Sequence, residues 1–439
     1  MTPKTILRDV RKLPPAGCLT WRSGRSTAAR YWNLAAVVSQ EPVDLTFQQA
    51  ADRLAGELTR AVDGQRVSDV PLGAFLSGGL DSTAITHRLA AHASGPVHTF
   101  SIGFREKTYS ELPYARLAAA SLGTDHHEEV IAPNLDDLLP KLAWYLDEPF
   151  ADTAAVPMFM LSALARRHVT VALSGEGGDE CFAGYDTYLA DRLARTYRRL
   201  PPFARRLLRS AASGLPSTRR KVSIDYKAKQ FTAYAGESPE RAHYSWRLLF
   251  DEPEKAQLLG GDVMRALAGY CPFEGFLERY RETANAAPLH QAMYVDMQTW
   301  LADAMFVKVD RTSMAHGLEA RVPMVDRRLV EFAFSLPPSF KLRGLSTKRV
   351  LRHAVRNDIP GSIVRRKKRG FNAPVAHWIV SMQPARNHRD EVMSGFDRTW
   401  RSLVDAHGAR QRDNGFRLWT LSQWTFWCQA VRRSRPVQA

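Results

Sequence analysis

Cysteine is scarce in this chain, and what there is lies far apart. Cys18, Cys181, Cys271 and Cys428 form no C-x-x-C pair, which argues against a disulfide framework or a thiolate zinc site and fits a reducing cytosol. Long apolar runs are missing: no stretch approaches the ~18 residues of a membrane span. The opening residues Met1-Thr-Pro-Lys-Thr5 lack the apolar segment of a signal peptide. A cytoplasmic protein without a transmembrane segment is therefore expected. Two common nucleotide loops are also missing. No G-x-x-x-x-G-K-[ST] occurs, and no G-x-G-x-x-G follows an apolar run. There is no internal repeat and no low-complexity tract.

Acidic charge is in deficit, with 45 Asp and Glu against 61 Lys and Arg and a net charge of +16. Such a field favours anionic partners. Much of the excess falls between Arg192 and Lys229, including Arg195, Arg198, Arg199, Arg205, Arg206, Arg209, Arg219, Arg220 and Lys221. That region reads as a solvated helical face rather than a docking patch. No nucleic-acid module accompanies it, so no nucleic-acid partner is expected.

What is present is ordinary globular material, 45% hydrophobic and 24% charged. Apolar residues recur at helical spacing from Leu45 to Val62. Then strand-like and helix-like segments alternate. Val70–Leu76 reads as a buried strand, and Val97–Phe104, His127–Ile131 and Val169–Leu173 read as further strands. Asp81–Ala93, Tyr109–Leu122 and Leu135–Leu146 read as helices. This alternation predicts an α/β fold, a parallel sheet with helices on both faces, followed by a mostly helical C-terminal part. Ligands bind beyond the carboxyl ends of such strands. Two glycine-rich turns, after Leu76 and after Leu173, should lie on that edge.

The first turn is Ser77-Gly-Gly-Leu-Asp-Ser82. Its glycines admit close backbone approach. The N–H groups and dipole of the following helix make an anion site. Asp81 would repel a bare phosphate, so it suggests a bridging cation such as Mg²⁺. His126-His127-Glu128 has no H-E-x-x-H pattern and no third ligand at helical spacing, so it reads as strand-end solvation. Taken alone, Glu176 and Asp179 of the second turn equally suit a helix cap.

The string S-G-G-x-D-S after an apolar strand resembles the pyrophosphate loop of the N-type ATP pyrophosphatases, whose fold is adenine nucleotide alpha-hydrolase-like. Leu173-Ser-Gly-Glu-Gly-Gly-Asp-Glu180, with Phe182 and Gly184-Tyr185, resembles the second signature of the glutamine-hydrolysing asparagine synthetase family. The block from Val307 to Pro323 completed by Asp326, then Lys348–Arg352, and Pro360 with Lys368–Phe371 resemble the later blocks, Asp147–Asp152 upstream also fits, and together the blocks appear in the family's order over roughly residues 40–430. Several ordered matches are far more specific than one. The core of the Arg311–Arg321 block still reads mainly as packing and ion pairing.

The resemblance implies a ligase that adenylates a carboxylate with ATP, releases pyrophosphate and forms an amide with AMP as the leaving group. It implies ATP and Mg²⁺, a small-molecule carboxylate such as aspartate, and ammonia or a partner glutaminase as nitrogen source. A homodimer is compatible with it. Residue by residue, it puts Asp81 and Asp179 on the metal, and Ser77, Gly78, Gly79 and Ser82 around pyrophosphate. Leu76 and Ile102 match positions that contact adenosine, and Ser174 and Gly175 match the turn beside the ribose. Glu176 and Lys348 match catalytic positions, and Glu180 and Arg321 an acceptor pocket. A sugar-acid amidotransferase, a β-lactam synthetase or peptide cyclase, and a silent binding subunit are the competing readings.

The chain departs from the family at its start. Residue 2 is Thr, and no cysteine precedes Cys18. Residues 1–40 resemble only the tail of a glutaminase domain. A late start site, a natural short form and a different amine are the alternatives. The segment 41–435 is expected to divide into a nucleotide-binding core at 65–190, a helical region at 190–300 and a C-terminal helical part at 300–435. A surface left exposed at the remnant is also expected.

Overall fold

The computed structural model describes residues 1–216, 218, 223–368, 370–379, 395–409 and 411–433. A small antiparallel hairpin comes first, β1 (Gly17–Arg22) paired with β2 (Arg25–Arg30). It packs little: Trp21 and Tyr31 are 71% and 74% exposed, and Leu7, Val10 and Leu13 also face solvent. The segment is tied down by polar contacts instead. The Thr2 N–H donates to Asp303 at 2.9 Å and the Ile6 N–H to Glu148 at 2.7 Å.

The main sheet contains β3 (Leu72–Phe75), β4 (His98–Phe104), β5 (Asp125–Ile131), β6 (Val171–Leu173) and β7 (Glu319–Arg321). All four pairings are parallel, in the order β5-β4-β3-β6-β7. The fold is the α/β architecture expected from sequence, with a helical C-terminal part. Four of the strands fall on the segments read as strands from sequence. The fifth, Glu319–Arg321, was not anticipated, because three residues with two charges carry no strand period.

Helices cover both faces, and the pleat explains how. Ala74 and Leu76 point into one core, shared with Leu54, Leu58, Ile85 and Leu89 of the helices Phe47–Gln65 and Leu80–Ala91. Phe75 between them points into the other core, with Leu139 and Leu142 of Leu135–Tyr145 and Val156 and Phe159 of Ala155–Arg166. A period of two on a strand buried from both sides requires this split. The long helix Gly415–Arg433 closes the second core through Leu418 and Trp419.

The strand order reverses between β3 and β6. After β3 the chain winds outward through β4 to β5, then returns to place β6 on the other side of β3. Loops leaving adjacent strands in opposite directions open a crevice there. The turns at Ser77–Ser82 and Ser174–Asp179 flank that crevice.

Downstream the chain is helical through Asp186–Arg198, Pro202–Ser213 and Ile224–Tyr234. The basic face is solvated as expected: Arg195, Arg199, Arg206 and Arg209 are exposed. Arg219, Arg220 and Lys221 lie outside the described residues. Among the described residues no helix is long and apolar enough to cross a membrane.

Candidate active site

The helix Leu80–Ala91 starts directly after the first glycine-rich turn, and its N-cap Gly79 brings no side-chain cap. Its first N–H groups are therefore left for a ligand. The turn can form because Gly78 takes φ +62°, and a Cβ there would lie 2.2 Å from the Tyr114 carbonyl carbon. Arg366 holds this turn from outside. Its guanidinium donates to the carbonyls of Gly78 at 2.8 Å and Ser77 at 3.3 Å, pairs with Glu111 at 2.7 Å, and lies 3.9 Å over the Tyr114 ring. In trans peptides the N–H groups of Gly78 and Gly79 are directed opposite to those carbonyls. The Ser77 and Ser82 hydroxyls are 3.1 Å apart.

The second turn leads into the short helix Gly178–Phe182, which buries Asp179 and Glu180. Lys348 joins the two turns. Its ammonium donates to Asp81 and lies 2.6 Å from Asp179, while its own N–H donates to the Phe182 carbonyl. Lys348 has φ +52°, a conformation that a non-glycine residue adopts only where its surroundings hold it. Lys368 contacts the other Asp179 oxygen at 2.6 Å. Burial alone would raise the pKa of Asp179, but Lys348 and then Lys368 outweigh it and hold it at about 2. The carboxylate is thus ionised at neutral pH.

Glu176 lies farther along the cleft, half-buried. Lys308 is 3.5 Å from Glu176 and 3.5 Å from Asp152. Burial would lower the Lys308 pKa, yet Glu176 and Asp152 together raise it. Lys308 lies in the Val307–Pro323 block, whose sequence gives it no role of its own. Of the apolar residues in the following Arg311–Arg321 stretch, Leu318 is core but Met314 is 57% exposed, and Arg311 pairs with Asp147 at 3.0 Å.

One cleft gathers most of the expected residues. Leu76, Ser77, Gly79, Asp81, Ser82, Ile102, Ser174, Gly175, Glu176 and Lys348 line it; Asp179 contacts the lining residue Lys348, and Gly78 belongs to the same turn as Ser77 and Gly79. Part of its lining is apolar, with Phe75, Phe100, Ile102, Leu112, Met158, Leu161 and Phe371. Another part is cationic, through Lys348, Arg352, Arg366, Lys367 and Lys368. Apolar surface together with cations suits a base joined to a polyphosphate. The roles of Arg352, Arg366 and Lys367 were not read from sequence. Their only signal was position within or beside the resembling blocks.

Two expected residues are elsewhere. Arg321 extends β7, but its side chain donates to the carbonyls of Gln65 at 2.8 Å and Val67 at 2.7 Å, capping the end of helix Phe47–Gln65. Glu180 is sealed beneath the turn, 1% exposed, and accepts from the Tyr185 hydroxyl at 2.7 Å. Burial and then the Asp179 charge push its pKa up to about 8.

The carboxylates fit a divalent cation. A single ammonium touches both Asp81 and Asp179, so one ion between them would reach both. Asp81 Oδ1 is buried and accepts no hydrogen bond from the described residues.

The chain matches the asparagine synthase family over residues 53–429. It is 31% identical to asparagine synthetase [glutamine-hydrolyzing] 1 of Bacillus subtilis, over 97% of this chain and 66% of that protein. It is 30% identical to a putative asparagine synthetase of Mycobacterium bovis, over 97% of this chain and 65% of the relative. It also resembles an amidase of Gibberella zeae, at 26% identity over 85% of this chain and 60% of the relative. The chain thus spans just under two thirds of the length of these bacterial relatives. With its ordered motifs folded around one cleft and the family match running over most of its length, the chain belongs to the asparagine synthase family.

Proposed function

We propose that this chain forms an amide at the expense of ATP, through an acyl-adenylate, with aspartate as the acid and ammonia, free or released from glutamine by another domain or protein, as the nitrogen source. The observation that carries the reading is Lys348 bridging Asp81 and Asp179 at the mouth of the anion-binding turn. The acid's oxygen attacks the α-phosphorus, and the α–β bridging oxygen departs with pyrophosphate. Ammonia then attacks the acyl carbon and AMP leaves.

Each group has a task in that sequence. The turn N–H groups and the Ser77 and Ser82 hydroxyls bind the leaving pyrophosphate. Lys348 and Lys368 stand beside the same phosphates and offset the charge that builds on them. Asp81 and Asp179 would hold Mg²⁺, which when bound neutralises phosphate charge. Leu76, Ile102 and the other apolar residues of the cleft orient the adenosine, and Ser174 and Gly175 border the ribose. Orientation alone is a large part of catalysis in phosphoryl and nucleotidyl transfer. Glu176, kept close to Lys308, is placed to take the proton that the attacking nitrogen loses.

A second acceptor is favoured by two observations. A relative of similar coverage carries the name amidase. The residues expected in an acceptor pocket, Glu180 and Arg321, do not line the cleft. Incubation with ATP, Mg²⁺, ammonium and aspartate tests the proposal, with pyrophosphate, AMP and asparagine measured together. Equal yields of the three are expected. Pyrophosphate without asparagine moves the reading to another acid, such as a sugar acid or an internal carboxylate. No pyrophosphate with any acid would leave only a silent binding subunit.

A further inference from the structure

The opposite edge of the sheet carries a second cluster that the reaction does not use. His98 opens β4, and Asp125 opens β5 directly across from it in register. His127 is two residues along β5, opposite Phe100, so the pleat puts all four side chains on one face. His168 arrives from the loop between helix Ala155–Arg166 and β6, and its ring stacks on that of His127 with centroids 3.8 Å apart. Sequence reasoning sought a third ligand at helical spacing near His126 and His127 and found none. The third and fourth ligands instead come from other segments. His126 itself points the other way, with Nδ1 2.9 Å from the Thr99 hydroxyl.

The donor atoms converge. His98 Nδ1 lies 3.2 Å from His127 Nε2, and Asp125 Oδ2 lies 2.9 Å from the first and 3.2 Å from the second. Zinc bonds to nitrogen and oxygen of ~2.0–2.1 Å require tetrahedral ligand-to-ligand edges of about 3.3 Å. The three atoms are therefore already spaced close to one face of a zinc tetrahedron. Ligand atoms of His98, His127 and His168 all fall within 4.8 Å of one another. His168 is exposed, so its ring is free to turn off the stack and present a nitrogen. Phe100, stacked on His127 at 5.5 Å, walls the inner side.

We propose that His98, His127, His168 and Asp125 form a binding site for a borderline-soft divalent cation, Zn²⁺ above all, at the amino edge of the sheet. Three imidazoles and one carboxylate match zinc's ligand preference and not that of Mg²⁺, which takes oxygen ligands. The site is separate from the ATP cleft. Along β4, His98 stands four residues before Ile102, which lines the cleft, about 13 Å at ~3.3 Å per residue, and Phe100 between them walls both. Zinc here would tie the edge strand β5 to β4 and to the loop that leads into β6.

The test is metal binding by the full-length, untagged protein after treatment with a chelator. Zn²⁺ is titrated against a chromophoric competitor in excess Mg²⁺, and Co²⁺ is added separately as an optical probe. One tight equivalent of Zn²⁺ and the visible bands of tetrahedral Co²⁺ are expected. His127→Gln and His98→Gln should each weaken binding by at least ~100-fold, as loss of a ligand exceeds the 10–100-fold typical of outer-shell changes. His168→Ala, at an exposed position that tolerates truncation, should weaken it at least ~10-fold. Asp81→Asn should leave this equivalent intact, which separates the site from the ATP cleft. Lack of tight Zn²⁺ binding by the folded wild-type protein would overturn the proposal. So would affinity unchanged in the histidine variants, or lost in Asp81→Asn.

Discussion

The Lys348 ammonium donates to the Asp81 carboxylate although 267 positions separate the two residues. This contact closes the cleft between the first turn and the C-terminal part of the chain, and the nearby Asp179 makes it a three-residue bridge. Removing one member of a buried ion pair leaves the others uncompensated, at a cost of about 3–5 kcal/mol. Lys348→Met should therefore lower the melting temperature. It should reduce pyrophosphate release by about 10²–10³-fold, the usual cost of losing one donor to developing charge. Mg²⁺ should raise the melting temperature of the variant more than that of the wild type, because the cation replaces the missing charge. Calorimetry with and without Mg²⁺ checks this, and an equal response in both proteins would count against Asp81 and Asp179 as the metal site.

Gly184 makes room for that bridge. A Cβ at this position would sit 2.0 Å from Asp179 Oδ1 and 2.1 Å from Lys348 Cε. Gly184→Ala must push the lysine or the carboxylate aside, at about 1–3 kcal/mol for overpacking. A lower melting temperature and at least ~10-fold slower pyrophosphate release are expected, since ~1.4 kcal/mol at the transition state is tenfold in rate. Steady-state assays on the folded variant decide it. A rate equal to wild type would mean that the Asp179–Lys348 contact is not needed for the reaction.

Glu180 makes stability depend on pH. Its pKa in the folded chain is about 8, above the 4.5 of an ordinary glutamate, chiefly because of burial. The folded state thus holds the proton more tightly than the unfolded state. That contribution is complete below pH ~4.5 and is lost as pH rises through ~8. Glu180→Gln keeps a neutral group that can still accept from Tyr185. Its advantage over wild type should grow from near zero at pH 5 to about 2–4 kcal/mol at pH 9. Denaturant titrations across that range measure it, and a constant difference would contradict the buried neutral carboxyl.

Arg321 is predicted to matter for the fold and not for the acceptor. Its two bonds to the Gln65 and Val67 carbonyls end a helix. Arg321→Ala should cost about 1–3 kcal/mol of stability with the KM for the acid unchanged. A raised KM without loss of stability would return this residue to the acceptor pocket.

Much of this architecture was legible in the sequence because it is local. Leu72–Phe75 and Val171–Leu173 are apolar runs that stop at glycines, and an apolar run buried on both faces has few other fates. The turn at Ser77–Ser82 carried its own chemistry, since small residues before a helix make an anion site wherever they fold. Lys348, Asp81 and Asp179 could be named from ordered motifs, and the structure brings all three together.

Other features depend on contacts that no local pattern encodes. Glu319–Arg321 becomes a strand only because the exposed edge of β6 offers it a ladder. No local pattern gives Lys308 a role, and only its approach to Glu176 and Asp152 brings it beside the cleft. Arg366 is one among many basic residues until Ser77 and Gly78 fold against it, and the motif that holds Lys368 does not say that it meets Asp179. The histidine cluster is the clearest case. His98, His127 and His168 have no common spacing, and parallel pairing of β4 with β5 is what aligns them. The sequence by itself therefore determined four strands of the sheet, the anion-binding turn and the family. The tertiary structure decided which charges meet, because an electrostatic pair depends on distance in space and the chain encodes only distance along itself.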